Sequence, residues 1–378
     1  MFERVYIENY KCLANFDLYL QDITLLLGAN GTGKTAVLDV VYGLRELLAG
    51  DAKIADSVAF PPSTLTRWQT HRHQQFVLQV RAGGEVFSYW LRVEHHADSG
   101  VSWVTHEKLA GEDETVLFNC EGGTVQLYQD DGTEGPTYGA DWSESALARV
   151  VPHPANTRIT SFLKAVRNTV VCTVRPYGLR TESNREDRLL NRHASNFVDW
   201  YRHAVQETPR LALAHVEALR SVIPGFDDLR LTQAGLDTRA LMFSFDASDG
   251  STEQGGGRYW LRFSELSDGQ RALAVLYGLL HLSYDDEGIC VFLDEPENYV
   301  ALPEIQPWLM ALVKLCQETP SQAVICSHHP ELIDYLGPEH GQILQRNESG
   351  ATTPQRLSPG SSGHTHRLSE LVARGWEG

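Results

Sequence analysis

The stretch ITLLLGANGTGKT, residues 23–35, decides the fold. ITLLL carries no charge and reads as a strand buried on both faces. Residues 36–48, AVLDVVYGLRELL, place apolar side chains at helical spacing. Between them, 28–35 fit GxxxxGK[ST] in the context that pattern requires, a strand before and a helix after. The glycines let the backbone curl so that its N–H groups face phosphate oxygens. The helix start presents further N–H groups to the same anion. Asn30, Gly31, Thr32 and Gly33 are therefore expected to wrap the phosphates of ATP. Lys34 is expected to reach the β and γ phosphates, and Thr35 to offer its hydroxyl to Mg²⁺.

Three further stretches join it. Val291 to Glu297, VFLDEPE, ends an apolar strand in adjacent carboxylates, which are costly there unless they have a task. Asp294 suits a Mg²⁺ ion held through its water shell, and Glu295 suits polarising an attacking water. A plain surface turn, or metal ligands of a nuclease, are the competing uses; no second acidic cluster accompanies them. After AVICS (323–327) comes Ser327-His328-His329-Pro330. Either histidine could sense a γ-phosphate or serve as a local hydrogen-bonder. Leu266 to Arg271, LSDGQR, precedes a buried-looking helix; Ser267 or Asp268 would cap it.

Residues 2–7 and 16–20 alternate like short strands. Segments 76–81, 86–93, 101–105, 115–118 and 124–128 are joined by glycine-rich turns and predict an antiparallel meander. Residues 144–222 are mostly helical in pattern, with helices near 195–203 and 208–222. Strands are expected at 229–231, 240–245 and 258–263, with SDGSTEQGGG as a surface loop. From 265 onward helix and strand alternate: helix 270–283, strand 289–294, helix 304–318, strand 323–327, helix 330–336. The tail from 347 reads as loose, with a short helix near 367–373. The expected division is 1–50, the first part of the ATPase head with the phosphate loop; 51–143, a β-rich segment; 144–228, a helical lid; 229–346, the second part of the head; and 347–378, a tail.

The 378 residues carry a net charge of −17, which argues against a general nucleic-acid coat or an anionic membrane surface. The charge is uneven. Residues 158–230 hold twelve Lys/Arg against eight Asp/Glu, an excess of four that leaves −21 for the rest, so a local basic face is open and with it contact with DNA. No run of 18 apolar residues and no signal-like N-terminus occurs, so a cytoplasmic location without membrane contact is the default expectation. Cys12, Cys172, Cys290, Cys316 and Cys326 read as core thiols. His71, His73, His95, His96, His364 and His366 pair in sequence without the spacing of a metal site and read as surface residues.

Together these motifs resemble the ABC-type ATPases of the SMC-like, RecF-like and OLD-like class. Ile7-Glu8-Asn9-Tyr10-Lys11-Cys12-Leu13, ahead of GANGTGKT, matches that class's strand, [FY]-[KR]-x-[LF], strand and GxNGxGK[ST] order. Leu189 to Trp200, and Val222 to Phe226, look like its lid. Where many members have Leu-His-Pro after the acidic pair, this chain has Ala301-Leu302-Pro303. The resemblance implies an α/β, ABC-type P-loop ATPase with N-terminal antiparallel strands and an inserted mixed β/helical lid region. It implies a homodimer in which two ATP molecules lie head-to-tail between protomers. Ser267, Gly269 and Gln270 of LSDGQR would then contact the partner's nucleotide, across a helix start left bare for it. The S-H-x-P pattern puts the switch histidine on His328, and Gln75 or Gln74, just before a strand, would be the glutamine that reaches Mg²⁺. Catalysis would rest on Lys34, Glu295 and His328. The chain has no room for long coiled-coil arms, and no clustered acidic set in its tail suggests a nuclease. A separate effector chain, in DNA repair or anti-phage defence, follows as the implied output. The alternatives are the nucleotide-binding subunit of a transporter and a non-catalytic, ATP-bound scaffold.

Overall fold

The computed structural model describes residues 1–96, 101–246, 257–282, 288–357 and 368–373. SDGSTEQGGG falls largely outside them, as do His364 and His366. The chain forms two compact units, one of residues 1–169 and 324–378, the other of 170–323.

In the first unit the chain runs β1 (Phe2–Glu8), β2 (Phe16–Tyr19), β3 (Ile23–Leu27), α1 (Lys34–Ala49), β4 (His73–Ala82), β5 (Glu85–His95), β6 (Ser102–Ala110), β7 (Val116–Glu121), β8 (Thr124–Tyr128), β9 (Glu134–Gly139) and α2 (Thr157–Arg167). Eight of these strands make one antiparallel sheet in the order β2-β1-β4-β5-β6-β7-β8-β9, the meander the alternation predicts, with β9 added to it. Alternation decides the faces: in β1, Phe2, Val5 and Ile7 are buried. Glu107 of β6 is buried among them and is satisfied. It accepts from Tyr89 Oη (2.8 Å), Ser145 Oγ (2.6 Å) and the Ala146 and Leu147 amides (2.9 and 3.2 Å), which fastens the 145–147 turn to the sheet. Burial pushes its pKa up.

In the second unit the elements are β10 (Val170–Cys172), β11 (Glu182–Ser183), α3 (Phe197–Glu207), α4 (Pro209–Val222), β12 (Phe226–Gln233), β13 (Arg239–Asp246), β14 (Arg258–Arg262), α5 (Asp268–Leu282), β15 (Cys290–Asp294) and α6 (Leu302–Glu318). β10 lies parallel to β15, Val170 opposite Val291. β11, β12 and β14 gather antiparallel around β13. The helices pack through buried polar contacts as well as apolar ones: Trp308 Nε1 donates to the Leu276 carbonyl (2.9 Å), and His215 Nε2 lies 3.0 Å from that of Ala274. The helical pattern of 144–222 hides two strands, β10 and β11. β10 has only three residues, too short for periodicity to separate it from a helix turn.

The chain re-enters the first unit within β16 (Gln322–Cys326) and continues through α7 (Pro330–His340), β17 (Gly341–Arg346), β18 (Thr352–Arg356) and α8 (Leu368–Ala373). β3 lies between β16 and β17, parallel to β17, with β18 beyond. The segment after 347 is therefore not loose throughout. Residues 341–356 form a hairpin whose turn closes through Gly350 N–H to the Asn347 carbonyl. Of the five cysteines expected in the core, Cys290 is only half-buried; the other four are buried. Among the described residues no helix is long and apolar enough to cross a membrane.

Candidate functional site

The phosphate loop leaves β3 through backbone that only glycine adopts readily. Gly28, Gly31 and Gly33 have φ of 139°, 82° and 98°. A Cβ on Gly28 would stand 2.4 Å from the Leu344 carbonyl oxygen, and one on Gly33 would stand 2.7 Å from Cys12 Sγ; Gly31 faces open space. α1 begins at Gly33 with no side-chain cap and no acidic residue in its first turn, so chemistry at its start favours an anion. Lys34 is buried and its Nζ donates to the Gly28 and Ala29 carbonyls (2.7 and 3.3 Å). Thr35, Asn30 and Gly31 are exposed. Thr32 is buried, its hydroxyl donating to the Ala29 carbonyl (2.9 Å).

Two elements brace this loop. The turn that follows β1 holds Asn9, Lys11 and Asn15 in the left-handed region. Asn9, fully buried, ties that turn to the carbonyls of His71 and His73 (2.9 and 2.8 Å) and to the Thr66 amide (3.0 Å). Thr352, at the start of β18, donates its hydroxyl to the Thr32 carbonyl (2.8 Å) and its amide to that of Cys12 (3.0 Å). Thr352 is missing from the sequence-based site. The signal that could have found it is ILQR-NESG-ATTPQR, two short alternating runs around an Asn-to-Gly turn, with Pro354 masking the second.

Ser327 N–H reaches the Leu26 carbonyl of β3 at 3.4 Å, so His328 follows close to the strand end from which the phosphate loop springs. The two histidines divide the tasks left open between them. His329 caps α7, its Nδ1 accepting from the Glu331 amide (3.3 Å), whereas His328 is exposed. Gln74 and Gln75 lie within β4, not before it. Gln74 is fully buried and bound to the Asn9 carbonyl (2.9 Å), Thr64 Oγ1 (3.1 Å) and His95 Nε2 (3.0 Å), which commits it to structure and leaves half-buried Gln75 as the candidate. His95, expected at the surface, is buried between Gln74 and Ser102 Oγ (2.8 Å), and burial with Arg72 nearby pushes its pKa down to about 4.

In the second unit β15 carries Asp294 at its end, buried, with Arg192 Nη2 3.4 Å from Oδ2. Glu295 follows with φ 49° and Tyr299 with φ 72°, left-handed conformations that non-glycine residues rarely hold. Glu295 Oε2 accepts from Asn298 Nδ2 at 2.7 Å. At the start of α5 the expectation of a bare helix end is corrected. Ser267 and Gln270 form a reciprocal capping box: the Gln270 amide donates to Ser267 Oγ (3.2 Å) and the Ser267 amide to Gln270 Oε1 (3.0 Å). Ser267, exposed, must exchange that bond to meet any ligand. Gly269 has a specific need for hydrogen at Cα, since a Cβ would lie 2.9 Å from the Tyr299 carbonyl oxygen. Arg192 was not foreseen; no local pattern marks it.

The residues fit the ligands the motif implies. Three left-handed glycines lead into an uncapped helix start, a phosphate cradle. Thr35 and Asp294 offer hard oxygen donors of the kind Mg²⁺ takes in small number.

Two family models match the chain: residues 1–57 match "AAA ATPase domain", and 179–334 match "AAA domain, putative AbiEii toxin, Type IV TA system". Among solved structures, an SMC head bound to the C-terminal winged-helix domain of ScpA superposes over 94% of this chain and 98% of its own, with 13% identity and a TM-score of 0.52. An SMC head with an extended coiled coil, bound to the C-terminal domain of ScpA and derived from Pyrococcus furiosus, does so over 94% and 96%, with 12% identity and a TM-score of 0.51. No curated relative matches the sequence. The architecture is that of an ABC-type P-loop ATPase. The chain carries an AAA-type ATPase domain with the fold of an SMC head.

Proposed function

We propose that this chain is an ATP-hydrolysing dimeric switch that controls a separate effector chain in DNA repair or anti-phage defence. The observation that carries the proposal is the glycine-built, uncapped start of α1 with Lys34 folded into the loop below it. On this reading the loop amides and Lys34 hold the phosphates of ATP, and Glu295 orients and deprotonates the attacking water. Thr35 and Asp294, with Gln75, would hold Mg²⁺, which when bound would neutralise phosphate charge. His328, exposed where the capping His329 is not, is positioned to respond to the γ-phosphate. Ser267, Gly269 and Gln270 serve the nucleotide of a second protomer, Ser267 leaving its capping box to do so. The ScpA domains bound to SMC heads in the two similar structures support a second chain as the output, as does the toxin named in the family description.

The test is a Glu295→Gln variant, expected to bind Mg-ATP without turning it over and to accumulate as a dimer in size-exclusion chromatography with light scattering. Ser267→Arg is expected to bind ATP as a monomer, and Lys34→Ala to bind none. A Glu295→Gln protein that stays monomeric in saturating Mg-ATP would sink the sandwich; unchanged calorimetric ATP affinity in Lys34→Ala would sink the site.

A further inference from the structure

Asp294 shares the end of β15 with a cation of the protein's own. Arg192 Nη2 stands 3.4 Å from Asp294 Oδ2, and both side chains are only 12% exposed. The same guanidinium is anchored on its other branch, Nη1 donating to Thr173 Oγ1 at 2.6 Å. The segment from 173 to 192 has a second attachment. Arg271 of the LSDGQR helix donates through Nη1 to the Pro176 carbonyl (2.9 Å) while its Nη2 pairs with Asp268 (2.6 Å). One segment thus ends on the acidic strand and begins on the helix that LSDGQR opens, all within residues 170–323.

A carboxylate so far out of water needs a counter-charge. A guanidinium supplies one permanently, since it does not deprotonate. A divalent cation taken up at Asp294 would face that guanidinium across one carboxylate, and two cations at such separation repel strongly where water is scarce. We propose that Arg192 is a positioning residue: it holds Asp294 until a divalent cation takes its place, and its displacement loosens the 173–192 segment and its grip on Arg271. Cation loading at one motif is thereby communicated to the other. This rests on the Mg-ATP reading above.

The experiment uses the full chain and a fluorescent N-methylanthraniloyl-ATP, with Mg²⁺ varied from micromolar to millimolar. Arg192→Gln is expected to lower the Mg²⁺ concentration for half-maximal nucleotide binding by about tenfold, the factor that corresponds to losing a competitor worth one decade. Arg192→Lys, which keeps the charge, is expected to stay within about threefold of the parent and guards against a folding defect. Amide hydrogen exchange in 173–192 is expected to quicken when Mg²⁺ is added to the ATP-bound parent, and to be fast with or without Mg²⁺ in Arg192→Gln. An unchanged Mg²⁺ midpoint in Arg192→Gln, or exchange in 173–192 that ignores Mg²⁺, overturns the role of Arg192 alone. Failure of the parent to bind the nucleotide at all overturns both it and the ATPase reading.

Discussion

Gly28 shows how closely the phosphate loop is built at the scale of one residue. Its φ of 139° and the Leu344 carbonyl beside it leave no room for a methyl group. The obstacle is backbone of β17, not a side chain that can swing away. Gly28→Ala is expected to cost about 2 kcal/mol or more, strain and clash together, and to weaken ATP binding. Urea denaturation of the two proteins checks it; coincident midpoints would show that the loop relaxes freely. The residues that bind phosphate were legible because the motif is contiguous and its chemistry is local. Gln74 was not. A glutamine beside a strand looks the same in sequence whether it faces a metal or closes a buried triad with Asn9 and His95.

At the scale of elements, β4, β5 and β6 are pinned by that triad, because His95 on β5 bridges Gln74 on β4 and Ser102 on β6. Its pKa, about 4, lies below the ordinary histidine value near 6.5. The unfolded chain therefore binds the proton first on acidification. The stabilisation is complete above pH ~6.5 and is lost as pH falls toward about 4. His95→Gln is expected to shrink the drop in melting temperature between pH 7 and pH 5 by ~2–4 °C, the shift that roughly 1 kcal/mol makes in a chain of this size. An equal drop in both proteins would remove His95 from the pH response. Most elements were readable from alternation and helical spacing, including the whole meander. The misses, β9, β10, β11 and the β17–β18 hairpin, are short or carry proline and glycine, where no period has room to repeat.

For the molecule as a whole, ligand and stability are linked. Anything bound only by the folded chain raises its unfolding free energy, by about 2.7 kcal/mol when the ligand stands at a hundred times its dissociation constant. Mg-ATP is expected to raise the melting temperature of the parent accordingly. Lys34→Ala is expected to lose that rise, while Ser267→Arg keeps most of it. Scanning calorimetry with and without Mg-ATP decides the matter; a rise retained in Lys34→Ala would place the nucleotide elsewhere.

The sequence by itself determined that this is a P-loop ATPase, and named the loop, the acidic strand end and the LSDGQR helix, because each is a short run whose backbone and side-chain chemistry is complete within a few residues. Only the tertiary structure decided what each run leans on. Thr352 meets the phosphate loop from 320 residues away, and Arg192 meets Asp294 across 102. It also decided that Ser267 is already engaged as a cap. Such partners are set by where the folded chain returns on itself, and no local spacing encodes that return.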